Sequence, residues 1–332
     1  MAESLDSSLA VPRSASARDY VALLRPQQWI KNVVVFAGPA AALKLTSPDG
    51  LLKAIFAFTA FCLAASGTYA INDVLDRHQD ARHPTKCHRP VARGAIRPAT
   101  AIGIALFLVA VSLAGSMILV NIRMTAVLLL YLMLTLAYSL ILKQRVILDV
   151  VIVAGGFVLR AWGGTLAVGV PTSEWLIACV FTLCLFMGFG KRRCELAMIN
   201  DLAEAGKHRR TLLRYTPDLL NHLITVSAGI AIITFLLYTM DTGGHPAPFA
   251  KRHLFYTLPI VVYGVFRYAM LTELGRHAGP TEIVLNDRPL LGTILLWAGV
   301  ALLIAYQRQI LGQGGIAAWL ESAAGTFPPG GP

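Results

Sequence analysis

Residues 51–80 read LLKAIFAFTAFCLAASGTYAINDVLDRHQD. The first part, 51–74, is long and apolar enough to cross a hydrocarbon core of about 30 Å, which takes roughly 20 helical residues. Its end is a different kind of sequence. Asn72, Asp73, Asp76 and Asp80 stand at i, i+1, i+4 and i+8, a spacing that keeps the acids within one face of a continuing helix. Four oxygen-bearing side chains at the end of a membrane span are costly unless a cation neutralises them, and acids so placed usually line a site or pathway. A hard divalent cation such as Mg²⁺ suits them, since it takes carboxylates together with phosphate oxygens. The plain alternative is a solvated helix end carrying ordinary surface acids.

The rest of the chain agrees with a membrane setting. Of 332 residues 56% are hydrophobic and 14% charged, with mean hydropathy +0.62, whereas an ordinary soluble domain is roughly 25% charged. Nine spans are expected, at about 29–45, 51–74, 98–120, 124–142, 146–168, 172–190, 217–240, 254–275 and 290–310. The fold class is therefore all-α and polytopic. Residues 1–24 read as a polar cytosolic segment without a signal-peptide core, 25–312 as the transmembrane domain, and 313–332 as a disordered tail. Lys and Arg divide 21 against 6 between the two sides when the N-terminus is placed inside, which favours a cytoplasmic N-terminus. The net charge of +11 thus reads as topology and phosphate or lipid binding. Nucleic acid is excluded as a partner, since that would need a basic face on a soluble fold.

This topology puts the polar loops 76–97 and 191–216 on one side, where the chemistry is expected. In the second, 192–205 reads as an interfacial helix. The five cysteines lack metal or disulfide spacing. Within the spans, Arg160 needs an anionic partner, either substrate or an acid such as Asp149. Arg267 is read chiefly as paired to a neighbouring helix. Glycines 155, 156, 163 and 164 suit close helix packing, and Trp29, Trp162 and Trp175 suit interfacial anchoring. Downstream of the acids, Lys86 and Arg89 are placed to neutralise a metal-bound pyrophosphate, or simply to set topology.

The run Arg25-Pro26-Gln27-Gln28-Trp29-Ile30-Lys31-Asn32, the acidic segment, and His83-Pro84-Thr85-Lys86 with Arg89-Pro90 resemble the UbiA superfamily of intramembrane prenyltransferases over about residues 20–310. The resemblance implies nine helices around a central cavity, with two Mg²⁺ ions held by Asn72, Asp73, Asp76 and Asp80 gripping a diphosphate near the cytosolic face. Prenyl-transferring members carry a second acidic cluster after the sixth span. This chain reads Gly190-Lys191-Arg192-Arg193-Cys194-Glu195 there, bases in place of most acids, which suits a substrate bringing an extra phosphate to Lys191 and Arg192.

With Tyr138-Ser139-Leu140-Ile141-Leu142-Lys143 and Gly156-Phe157-Val158-Leu159-Arg160, that cluster is similar to the phosphoribosyl-transferring branch of the superfamily. The branch implies 5-phosphoribosyl 1-pyrophosphate as donor, polyprenyl (decaprenyl-type) phosphate as acceptor, and a place in the bacterial plasma membrane, in cell-envelope polysaccharide precursor synthesis. It assigns catalysis to Asp73, Asp76, Asp80 and Lys143. It assigns substrate contacts to Lys31, Asn72, Lys86, Arg89, Tyr138, Arg160, Lys191 and Arg192. A homo-oligomer is compatible with it. Two other readings stay open: a prenyltransferase acting on an aromatic acceptor, and a polytopic anion transporter lined by Arg160 and Arg267.

Overall fold

The computed structural model describes residues 15–82, 86–198, 212–241, 252–275 and 279–310, and among them the chain is helical with no strand. A short α1 (Ala17–Leu24) leads into a 3-10 segment (Pro26–Phe36) and a brief α2 (Ala37–Ala41). Then follow α3 (Pro48–Leu75), α4 (Arg77–Asp80), α5 (Pro98–Leu119), α6 (Ile122–Leu140), α7 (Leu148–Ala167) and α8 (Glu174–Ala197). The remainder is α9 (Pro217–Met240), α10 (Leu258–Glu273), α11 (Pro280–Asn286) and α12 (Arg288–Ile310).

Among the described residues eight helices are long and apolar enough to cross a membrane, α10 counted with its leading 3-10 turn. They are the expected spans after the first. Their starts follow from local chemistry. Proline opens α3, α5 and α9, where its missing N–H costs nothing. The side chains of Ser47, Asn121, Ser173 and Thr216 accept first-turn N–H groups of α3, α6, α8 and α9.

The first expected span, 29–45, is not a regular α-helix. Pro39 has no N–H to bond back to residue 35, and the backbone there is pressed against α7. A Cβ on Gly164 would stand 1.8 Å from the Val35 carbonyl oxygen. The 3-10 form, with about 2.0 Å rise per residue, still makes the passage. It runs antiparallel to α3, Arg25 meeting Asp73, Trp29 meeting Ser66 and Asn32 meeting Cys62 in turn. Eleven 3-10 residues and five α residues rise roughly 30 Å together, the depth of a bilayer core. Its irregular backbone packs on α3 and α7, as non-helical backbone at that depth must. Trp29 is accordingly not a surface anchor: its indole N–H donates to Ser66 Oγ at 3.0 Å.

Helices α3 and α7 are the inner pair, 56% buried over their apolar windows against 11% for α12. One cluster joins Val35 with α3, α6 and α7 through Phe61, Leu128 and Tyr131. Another joins α7 to α8–α11 through Phe186, Phe189 and Tyr268. A third packs α1 and α5 on α3 near Val74. Of the four glycines in α7, Gly163 and Gly164 meet Phe61 and Val35 too closely for any Cβ, whereas Gly155 and Gly156 leave ordinary room. The expected interfacial helix begins differently, because residues 192–197 continue α8. Its remainder from 199, the sequence His83-Pro84-Thr85, and the segments 1–14 and 313–332 lie outside the described residues.

Candidate active site

The last turn of α3 and the short α4 deliver Asp73, Asp76 and Asp80, and bases from three other elements meet them. Arg25, the left-handed residue that ends α1 (φ 51°), contacts Asp73 Oδ1. Arg89 lies 3.2 Å from the same oxygen and 2.5 Å from Asp80 Oδ2. Lys143, on the 3-10 turn between α6 and α7, reaches Asp76 Oδ1 at 2.8 Å. Asn72 donates its amide to Asp76 Oδ2 at 3.1 Å. Asp73 is 1% and Asp80 3% exposed, and buried carboxylates persist as anions when paired. Lys86 stands exposed on the turn Lys86–His88 beside this group.

A second charged group sits where α8 passes the start of α7. Arg192, 8% exposed in its side chain, has Nε 2.9 Å from Asp149 Oδ2 in a charge contact off the line of a hydrogen bond. Its Nη1 donates to Glu195 Oε2. Tyr215 donates its hydroxyl to Asp149 Oδ1 at 2.8 Å and accepts the Ile147 N–H at 2.6 Å. Burial pushes the Tyr215 hydroxyl well above the usual phenol range, so its proton stays in place. Lys191 is far more accessible, 46% exposed, with Nζ 3.6 Å from Glu195 Oε1. Tyr138 faces this group, close enough to Arg192 to interact electrostatically.

Deeper, Arg160 does not meet Asp149, which belongs to Arg192 and Tyr215. Its Nε donates to Asn32 Oδ1 at 2.6 Å, its Nη2 to the Tyr131 hydroxyl at 2.9 Å and its Nη1 to the Gly156 carbonyl. The rings of Tyr131 and Phe157 cover it at 4.6 and 5.0 Å. These partners are all neutral. Lys31 forms no hydrogen bond or ion pair among the described residues and lies within electrostatic reach of Lys191, Arg160 and Arg25. It therefore links the two charged groups to the inner arginine. Arg267 is held by Asp287 at 2.7 and 2.9 Å, a clip between α10 and the start of α12.

Arg25, Asn32, Tyr131, Asp149 and Tyr215 complete these groups. Arg25 and Asn32 stand in the quoted run 25–32, and Asp149 was visible as an acid at a span's edge. Tyr131 and Tyr215 carry no sequence signal that sets them apart from other buried tyrosines.

The donor set fits a hard divalent cation. Asp73 Oδ2 is buried without a hydrogen-bond partner, which leaves an oxygen available beside Asp76 and Asp80. Among the described residues no three His, Cys, Asp or Glu side chains converge as a ready cage. Mg²⁺ needs none, taking one or two carboxylates and completing its shell with phosphate oxygens and water.

Residues 33–286 match the model of the UbiA prenyltransferase family. The chain belongs to that family. Its relatives include decaprenyl-phosphate phosphoribosyltransferase of Corynebacterium glutamicum, 31% identical over 91% of each chain. The enzyme of that name from Mycolicibacterium smegmatis is 35% identical over 83% of this chain and 89% of its own. This UbiA-family chain also shares its fold with a UbiA homologue from Archaeoglobus fulgidus bound to GPP and Mg²⁺, at TM-score 0.66 and 17% identity, over 87% of this chain and 98% of that one. It is a multi-pass membrane protein.

Proposed function

We propose that this UbiA-family enzyme transfers 5-phosphoribosyl from 5-phosphoribosyl 1-pyrophosphate to a polyprenyl phosphate of decaprenyl type, releasing pyrophosphate for use of the lipid sugar in cell-envelope precursor synthesis. The observation that carries it is the end of α8. Lys191, Arg192 and Arg193 occupy the place of a second acidic cluster, and Glu195 is engaged with Lys191 and Arg192. Relatives with the phosphoribosyltransferase name, matched along most of their length, support the same donor and acceptor.

Asp73, Asp76 and Asp80 with Asn72 would hold the divalent cation, in one or two ions, and when bound it offsets charge on the departing pyrophosphate. Arg25, Arg89 and Lys143 already stand on those carboxylates and are placed to pass to pyrophosphate oxygens, with Lys86 at the rim. Lys191, assisted by the Arg192 side chain behind it and Tyr138 beside it, receives the ribose 5-phosphate. Arg160 and Lys31, two cations without a carboxylate partner, receive the acceptor's phosphate. One of its oxygens attacks C1 as the C1–pyrophosphate bond breaks. A phosphate monoester with second pKa near 6 is already anionic at pH 7, so the protein supplies no general base. The reading places the enzyme in the bacterial plasma membrane, with the acids of α3 facing the cytoplasm.

Purified enzyme should release pyrophosphate from the sugar donor only when polyprenyl phosphate and Mg²⁺ are both present. Consumption of geranyl diphosphate with an aromatic acceptor, and none of the sugar donor, would overturn the assignment.

A further inference from the structure

We propose that Tyr215 is a positioning residue for Lys143, setting the place of that ammonium through the backbone of Ile147. Lys143 sits on the only covalent path between α6 and α7, residues 141–147. That path ends in an uncommon turn. Ile147 has φ 66° and ψ −49°, and the Leu148 N–H bonds to the Val146 carbonyl at 2.7 Å. This is the rare γ-turn with a positive central φ, occupied by a β-branched residue that ordinarily avoids it. Surrounding structure must hold such a conformation.

The hold is visible. In this turn the central N–H has no partner in its own loop, and here it donates to Tyr215 Oη at 2.6 Å. The same hydroxyl donates to Asp149 Oδ1 at 2.8 Å, and Asp149 is fixed in turn by Arg192. Each atom of the Tyr215 hydroxyl is therefore used, and the residue lies in the buried cluster that also holds Phe189, Cys194 and Leu220. The two hydrogen bonds of the Tyr215 hydroxyl go to Ile147 and Asp149 and to none of the acids of α3. Its influence on the site runs through the turn at 147 to Lys143, four residues back, which holds Asp76 at 2.8 Å.

The proposal rests on Lys143 being a donor-binding base, and the experiment separates the two claims. KM for 5-phosphoribosyl 1-pyrophosphate and kcat are measured on the full-length enzyme for Tyr215→Phe, Lys143→Ala and the double variant. Tyr215→Phe keeps the buried ring and loses one hydroxyl, so KM should rise about fivefold to tenfold with kcat changed less. In the Lys143→Ala background the same change should add nothing. An equal rise in both backgrounds, or no rise in either, overturns the role of Tyr215 while leaving Lys143 in the site. A Lys143→Ala enzyme with unchanged KM overturns the site reading and the link with it. Should Tyr215→Phe fold poorly, it is read in an Ile147→Gly background, where the turn forms without support: KM should then stay at the value of Ile147→Gly alone, and a further rise of about fivefold or more would overturn the role of Tyr215.

Discussion

The two charged groups, at the ends of α3 and α8, use the same chemistry to opposite ends. At α3, three carboxylates meet bases from three separate elements, Arg25 before the 3-10 segment, Arg89 after α4 and Lys143 before α7. At α8, one arginine is enclosed by two carboxylates, one of them three residues along its own helix. The first group keeps a buried oxygen of Asp73 unsatisfied and side chains that are between a sixth and a quarter exposed on its bases. The second buries Arg192 and backs it with a tyrosine. Charge balance alone therefore does not separate a ligand site from a brace. What separates them is whether the partners are several partly exposed bases from different elements or one enclosed lattice of short contacts.

The contrast breaks most decisively at the acids. Asp73→Asn or Asp76→Asn should lower pyrophosphate release by about a thousandfold or more, with yield of membrane-inserted protein unchanged. Near-normal turnover would make these acids ordinary ion-pair partners. Removing the brace should act on stability first. Arg192→Ala leaves the buried Asp149 carboxylate without its cation, a loss of about 3–5 kcal/mol, read as a lower thermal midpoint in detergent. An unchanged midpoint with a raised donor KM would instead make Arg192 a ligand base. Its neighbour Lys191, half-exposed, should show the reverse pattern: Lys191→Ala raises donor KM about tenfold and leaves the midpoint alone.

The smallest effect lies outside both groups. Asp19 on α1 contacts Arg93, and the Ser16 backbone N–H holds its carboxyl below the usual range. A depressed folded pKa gives stabilisation present above the ordinary carboxylate value of about 3.9 and lost as pH falls through the lower folded value. Pepsin cleavage near Tyr20 should therefore accelerate only below about pH 4. Acceleration between pH 7 and 5 would assign the change to another group.

Much of this was legible in the sequence because apolar length and acid spacing are local properties. The eight regular spans and the acids at the end of α3 could be read directly, and the bases at 191–193 stood out against the pattern of the family that the chain resembles. What escaped depends on distant partners. Asp149 looked like a counter-ion for Arg160, eleven positions along the same helix, but α8 presents Arg192 to it while Asn32 and Tyr131 satisfy Arg160. The first passage was expected as a helix because hydropathy records apolarity and not the closeness of Gly164 to Val35. Tyr215 is one tyrosine among ten, and only its two hydrogen bonds distinguish it.

That first passage bears on how the enzyme is made. A 3-10 stretch carrying Lys31 and Asn32 lacks the unbroken apolarity of a segment that inserts on its own. The groove that receives it is formed by α3 and by the two glycines late in α7. Residues 26–41 are therefore expected to settle only after synthesis has passed position 164, so that Arg25, Lys31 and Asn32, made among the first, are among the last parts of the site to reach their places. Assembly of the site would then close from its beginning backwards, with α7 as the template.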